Sequence, residues 1–314
     1  MSVVRMLSAL MIALALAACH ESAPSEWSAE FDNPGFVADP GLSEASGLVA
    51  SRSAPGHLFA INDSLNEPEL FVLDRRGLAL GRIEVSGAAN RDWEDLAHAE
   101  GPDGSLLVIG DFGDNDAVHP HVTLYFVDEP EPDADGAYPD AVPLRHTLRL
   151  RYPDGPRDVE ALAWDSRTGE LLVISKRDRP PRIYTVPLDQ ALSASELQFT
   201  ARGTLPPLPA PSMNERASSA RLGQWVGQPT GLDIADDLSW AALITYRGLY
   251  LYRREDSESW LDALQRAPLE FRAPGVMTLE SVALLPGSMD VIALPEGQPA
   301  PLLRYRIRPP EGPR

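Results

Sequence analysis

Five short segments of this chain align with one another, and each stands at nearly the same distance from the strand that follows it. They read "EASGL" (44–48), "DWEDL" (92–96), "DVEAL" (158–162), "QPTGL" (228–232) and "TLESV" (278–282). The first column is Glu44, Asp92, Asp158, Gln228 and Thr278. The third is Ser46, Glu94, Glu160, Thr230 and Glu280, and the fifth is always aliphatic: Leu48, Leu96, Leu162, Leu232 and Val282. Positions i and i+2 of a strand share a face. Each module therefore opens a strand with polar groups on one side and then buries an aliphatic.

A second strand ends 14 or 15 residues beyond that aliphatic in every module, at Asp63, Asp111, Lys176, Tyr246 and Glu296. Third strands read "ELFVLD", "TLYFVDE", "RIYTVPL", "LYLYRR" and "LLRYRI". Fourth strands follow in four modules: "LALGRIEV", "LRHTLRLRY", "LQFTARGTL" and "PLEFRAP". Tandem modules of this kind stack on one another to bury a shared core. The pattern predicts an all-β chain, a β-propeller of four-stranded blades. The fifth module lacks a fourth strand, and "EWSAEFDN" (26–33) can supply it, which closes the ring and leaves no long edge exposed.

Five modules are counted. A sixth blade is left open by the gap between Leu162 and Leu232, which holds "PPLPAPSMNERASSARLGQWVG" (206–227). That stretch lacks β-rich runs and reads as a functional or disordered loop. "SESWLDALQR" (257–266) reads as a short amphipathic helix capped by Asp256 or Ser257. A β-sandwich is the alternative fold, but it does not explain five-fold columns. Trp93 is expected to pack between blades, as are Trp27, Trp164, Trp225 and Trp240.

The N-terminus has Arg5 followed by an apolar run from Met6 to Ala18, too short for a membrane span. It ends in Leu16-Ala17-Ala18-Cys19, and Cys19 is the only cysteine. This resembles the lipobox of bacterial lipoproteins. The resemblance implies a signal peptide over 1–18, acylation of Cys19 (palmitate among the acyl groups) and a lipidated tether over 19–35. The propeller would then occupy 36–307, with a disordered tail at 308–314. His20 rather than Asp after the cysteine implies delivery to the outer membrane of a Gram-negative host, facing the periplasm or the cell surface. Stable anchoring needs more than one chain, each buried CH₂ contributing about 0.8 kcal/mol.

The formal net charge is -19. Nucleic acid and anionic lipid surfaces are therefore poor partners. No cysteine remains for a disulfide after lipidation, so the mature fold rests on its core. A monomer is expected, with the membrane reached only through the N-terminal lipid. No serine-hydrolase elbow, zincin, P-loop or dinucleotide-binding pattern occurs.

In a propeller the innermost strands line the channel, so the acidic columns should converge at one mouth. Carboxylates there need counter-charge, and oxygen ligands suit Ca²⁺ or another hard divalent cation. The candidate ligands are Glu44, Asp92, Glu94, Asp111, Glu160 and Glu280. Asn62, Asp63, Lys176 and Tyr246 are candidate ligand-binding groups. "GDFGDND" (110–116) adds a Gly-hinged acidic loop without the spacing of an EF-hand. The competing reading makes these acids caps of turns and bridges between blades. The sole lysine, Lys176, would either steady a substrate anion or pair with an acid of a neighbouring blade. Asp95 lies outside the repeating polar columns and is expected to be a local turn group. "DEPEPDADGAYPD" (128–140) reads as a solvated insertion.

Taken together, "IGDFGDN", "DWEDLA", "DVEALAWD" and "PTGLDIA" resemble a group of uncharacterised secreted bacterial β-propeller lipoproteins. The resemblance spans residues 43–307. More remotely, an acidic residue opening each inner strand is similar to the gluconolactonase and calcium-dependent phytase propellers. That similarity implies a metal in the channel held by Glu44, Glu94, Glu160 and Glu280, although Thr230 replaces an acid in one module. Two functional expectations follow. One is a binding or scaffold protein that takes a divalent cation or small ligand at the channel mouth. The other is a metal-dependent hydrolase of esters, lactones or phosphoesters, with Glu94 or Glu160 as base and Lys176 or Arg247 steadying the anion.

Overall fold

A computed structural model of the protein describes residues 26–219, 222–272 and 278–310. Cys19 and the segment around it lie outside the described residues, as do residues 311–314 of the tail.

Strands form wherever β-branched and aliphatic residues run between Gly, Asp, Asn and Pro turns. The first, β1 (Ser28–Asp32), belongs to the last blade. Blade 1 is built from β2 (Ala45–Ala50), β3 (His57–Asn62), β4 (Glu69–Asp74) and β5 (Ala79–Ser86). Blade 2 has β6 (Trp93–Gly101), β7 (Gly104–Asp111) and β8 (Val122–Asp128). The chain then leaves blade 2, adds β9 (Ala141–Pro143) in parallel to β5, and returns as β10 (His146–Arg151). Blade 3 has β11 (Val159–Asp165), β12 (Glu170–Ser175) and β13 (Arg182–Pro187), followed by α1 (Leu188–Ala191). Before finishing blade 3, the chain lays β14 (Glu196–Gln198) in parallel along β10; β15 (Thr200–Thr204) then completes it. After α2 (Met213–Ser218), blade 4 has β16 (Pro229–Ile234), β17 (Trp240–Thr245) and β18 (Gly248–Arg253). The turn of helix α3 (Trp260–Ala263) precedes its outer strand β19 (Leu269–Arg272). Blade 5 has β20 (Leu279–Leu284), β21 (Asp290–Pro295) and β22 (Leu303–Arg308), with β1 antiparallel to β22 as its fourth strand.

The ring therefore has five blades, closed by the N-terminal strand. The described residues of the 206–227 segment form α2 and flanking loop rather than a sixth blade. The acidic insertion is only partly a solvated loop. It delivers β9 to the edge of blade 1 and seats Tyr138 edge-on against Phe59, with its hydroxyl 2.7 Å from His57 Nδ1.

Inner strands β2, β6, β11, β16 and β20 neighbour one another around the channel, and β20 meets β2 again. The blade faces explain why these strands show no inside–outside alternation. Alternate residues go to different neighbours: in β12, Leu171 and Val173 face blade 2, while Leu172 and Ile174 face blade 4. Five apolar clusters result, one at each interface between consecutive blades. Trp93 is fully buried between blades 1 and 2. Burying a large apolar side chain of this kind contributes about 2–3 kcal/mol. Trp27 packs edge-on against Trp240 with ring centroids 5.0 Å apart, fixing β1 beside the start of β17. That contact is at the end of the blades away from the first residues of the inner strands. α3 is capped by Ser259, not by Asp256 or Ser257, because the Ser259 hydroxyl is the one that accepts from Asp262 N.

Each inner strand carries a bulge at the same point. Pairing with the second strand shifts between Ala45 and Gly47, Trp93 and Asp95, Val159 and Ala161, Pro229 and Gly231, and Leu279 and Ser281. The residue skipped each time belongs to the third column: Ser46, Glu94, Glu160, Thr230 or Glu280. A bulge leaves one residue unpaired and re-aims its side chain.

Candidate functional site

The bulges turn Glu94, Glu160 and Glu280 toward one mouth of the channel, where a cavity of about 480 Å³ opens. Its wall also includes Asp63, Lys176, Tyr246 and Glu296, each the residue directly after a second strand. Arg177, Asn115, Asp116 and Trp225 complete it from the loops.

Two groups of three carboxylates meet here, each with ligand oxygens all within 4.8 Å of one another: Asp63, Asp92 and Glu94, and then Glu94, Asp158 and Glu160. Glu94 belongs to both. The groups differ in counter-charge. In the second, Lys176 Nζ pairs with Glu160, and Arg177 Nε lies 2.6 Å from Asp158 Oδ2. In the first, no described lysine or arginine lies within ion-pair distance. Asp63 and Asp92 instead hydrogen-bond to each other, which requires a shared proton. Burial, then the charge of Asp63, raises Asp92 to about 7. Burial and Glu160 push Glu94 well above the ordinary carboxylate range.

Lys176 is fully buried, and that alone would disfavour its charge. The carboxylates of Glu160 and Glu280 outweigh the desolvation and keep it an ammonium. Its Nζ donates to the Tyr246 hydroxyl at 2.8 Å and lies 4.7 Å from the centre of that ring. Tyr246 and Glu280 line the same cavity, and burial raises the Glu280 pKa to about 7 against the opposing pull of Lys176.

Four residues grouped with these from the sequence are engaged elsewhere. Glu44 accepts from Asn66 Nδ2 at 2.7 Å. Asp111 accepts the Asp92 N–H at 2.9 Å, with Arg91 at 3.7 Å. The Asn62 amide is spent on backbone, accepting from Glu44 N and donating to Gly41 O. Arg247 binds Glu215 of α2 and the carbonyls of Pro209 and Ala210, so it fastens the 206–227 loop. In "GDFGDND", Asp114 accepts the N–H groups of Val118 and His119 and so folds its own loop. Gly113 lies so close to the cluster that a Cβ there would collide with Glu94 Oε1 and the Asp92 carboxylate.

Asp95 is not a local turn group. It is fully buried on the channel axis, where Oδ1 accepts from Leu96 N at 2.8 Å and Oδ2 from Leu162 N at 2.7 Å and Leu232 N at 3.1 Å. One carboxyl therefore ties the inner strands of blades 2, 3 and 4. The matching residues in other blades, Gly47, Ala161, Gly231 and Ser281, are small and leave it room. Burial raises its pKa well above the usual range.

Sequence reasoning passed over Asp158, Glu296, Arg177 and Trp225. The first two stood in the aligned columns and could have been read there. Trp225 is not inter-blade core: it roofs the cavity between the guanidinium groups of Arg177 and Arg179, at 4.7 and 5.1 Å. No local pattern marks it.

The other end of the channel differs in character. There Arg52 of blade 1 reaches Asp236, in the turn between β16 and β17 of blade 4, at 2.6 Å. Beside it, burial lowers His98 to about 4, and Glu129 accepts from Ser51, Ser53 and Ser105.

No protein-family model matches the chain, and no curated protein matches it in sequence. Among solved structures, the luciferin-regenerating enzyme is similar at 13% identity, with a TM-score of 0.40 over 83% of this chain and 77% of that one. The Kuenenia stuttgartiensis hydrazine synthase is similar at 13% identity, with a TM-score of 0.39 over 80% and 68%. The fold and site define a five-bladed β-propeller with an acidic channel mouth.

Proposed function

We propose that this protein is a lipid-anchored propeller of the outer membrane that binds a divalent cation, Ca²⁺ in the first instance, at its channel mouth. The observation that carries this reading is the trio Asp63, Asp92 and Glu94, without an ion pair among the described residues, beside a trio in which Glu160 and Asp158 pair with Lys176 and Arg177. All donors are oxygens, which suits a hard cation. A cation would replace the proton shared by Asp63 and Asp92.

The test is thermal unfolding of the acylation-free domain in chelator and in Ca²⁺. At a hundredfold excess over Kd, binding adds about 2.7 kcal/mol. That corresponds to a rise of roughly 5 °C in a domain of this size. Glu94→Gln should remove the rise. Identical melting with and without the ion, across Ca²⁺, Mg²⁺ and Mn²⁺, refutes the reading.

A second reading, a metal-dependent hydrolase, draws on one arrangement: the charged Lys176 beside Tyr246 and Glu280, across the cavity from the trio. The metal would polarise the substrate and activate water, and Lys176 would steady the developing anion. Turnover of a lactone, aryl ester or phosphoester, lost in Glu94→Gln and in Lys176→Met, distinguishes enzyme from binder. Anchoring through Cys19 is checked by incorporation of labelled palmitate, which Cys19→Ala should abolish.

A further inference from the structure

A second cavity, of about 300 Å³ and of a different chemistry, is lined by Arg179, whose guanidinium packs on Trp225 of the acidic mouth. Its wall is rigid and apolar: Pro180, Pro181, Pro207, Pro209, Pro211 and Leu208. Proline has no N–H and little conformational freedom, so such a wall is pre-formed and offers no donors of its own. The loop that supplies most of it is fastened by Arg247, which bonds Glu215 and two loop carbonyls. A Ser212–Glu215 capping box closes the first turn of α2 next to it.

Beside Ala210, Gly227 and Gln228, the lining holds two cations, Arg179 and Arg216, and no acid. Arg179 Nη2 donates to Gln224 O at 2.9 Å, and Arg216 Nε donates to Pro211 O at 3.2 Å. Among the described residues neither guanidinium has a carboxylate within ion-pair distance. That is unusual in this molecule, where most arginines are paired and the net charge is -19. Two unneutralised guanidiniums over an apolar wall match one kind of ligand. Guanidinium binds carboxylate, sulfonate or phosphate through paired N–H donors, and the prolines would take up an apolar body.

We propose that this cavity is a binding site for a small organic anion with an apolar body, distinct from the cation site and independent of it. The acidic mouth repels such an anion, and the two cavities share no lining residue, although Arg179 of this one packs on Trp225 of the mouth.

The test uses naphthalene-2-sulfonate as probe and its uncharged analogue naphthalene-2-sulfonamide, titrated calorimetrically against the whole folded domain. The expected result is saturable one-to-one binding of the sulfonate, at least tenfold tighter than the sulfonamide. Arg216→Gln should weaken it about tenfold, and Arg179→Gln with Arg216→Gln further. Glu94→Gln should leave it unchanged. Arg216 is exposed on the surface of α2, so its substitution reads the site without disturbing the fold, even if loss of Arg179 loosens Trp225. Equal binding of the sulfonamide, an unchanged Kd in Arg216→Gln, or no saturable binding overturns the proposal.

Discussion

Removing the Asp95 carboxyl would leave the N–H groups of Leu96, Leu162 and Leu232 without their acceptor. A buried, unsatisfied donor costs about 1–3 kcal/mol. Asp95→Ala should therefore lower stability by at least about 3 kcal/mol in urea unfolding. Burial favours the neutral acid at this position, so an amide is a close substitute that keeps one accepting oxygen. Asp95→Asn should cost distinctly less than Asp95→Ala; equal losses would contradict the role given to the carboxyl. The mouth carboxyls make a separate prediction. Asp92 and Glu280 are raised to about 7 in the folded protein, above their unfolded values. A raised carboxyl binds its proton more tightly when folded, so its contribution is lost as pH rises through the folded pKa. Asp233, also raised to about 7 by burial, acts with the same sign. His98 works the other way, but below its ordinary pKa of 6.5, since it is lowered to about 4. In chelator, melting temperature should fall between pH 6.5 and 7.5 and level off above that, and Asp92→Asn with Glu280→Gln should flatten the fall. Ca²⁺ should offset it, because the ion binds the deprotonated form. A melting temperature that rises over that window without metal would be inconsistent with this account.

Among the elements, the 206–227 segment depends on Arg247 more than on a core of its own. Arg247→Ala should leave the melting temperature within a few degrees and greatly speed proteolytic cleavage between residues 206 and 219. Unchanged cleavage would mean that other contacts hold the loop. The start of α2 was readable, since Ser212 stands three residues before Glu215 in a capping-box spacing. It was passed over because no apolar period follows. The same limit applies to β9 and β14. Each is three residues long and exists because a neighbouring blade presents an edge, which no local pattern records. The strands of the blades were legible because their apolar runs are long and their turns are marked by Gly, Asp and Pro. The repeated bulge was not. It inserts one unpaired residue at Glu94, Glu160 and Glu280 without any residue type that demands it. The columns thus told which acids are equivalent, but not which would point into the mouth. Glu44 and Asp111 shared the columns and turned to Asn66 and Arg91 instead.

At the scale of the molecule, closure is carried by β1. Asp32 on this strand meets Arg304 Nε at 2.8 Å and Arg306 at 2.7 Å. The hydrogen bond to Arg304 holds the Asp32 carboxyl below its usual range. Deleting residues up to 34 would bare the edge of β22 along its length. A long open edge is a template for pairing with another chain. The truncated protein should melt lower and elute as oligomers in size exclusion, whereas Asp32→Ala should remain monomeric with a loss of about 1 kcal/mol. A truncated protein that stays monomeric and equally stable would show that closure rests on the inner strands alone.

Under the proposed acylation of Cys19, the entry point of β1 would also set an orientation. Trp27 lies against Trp240, at the end of the blades opposite the starts of the inner strands where the carboxylates gather. With lipid on Cys19, nine residues before Ser28, the tether could span at most about 30 Å. The propeller would stand on the bilayer with the Arg52–Asp236 end inward. An inner strand of six residues puts about 20 Å between the two ends of the channel. That is more than twice the Debye length of about 8 Å at physiological ionic strength. The acidic mouth would sit beyond the layer in which anionic headgroups concentrate cations, and its occupancy would follow the bulk ion concentration of the surrounding fluid.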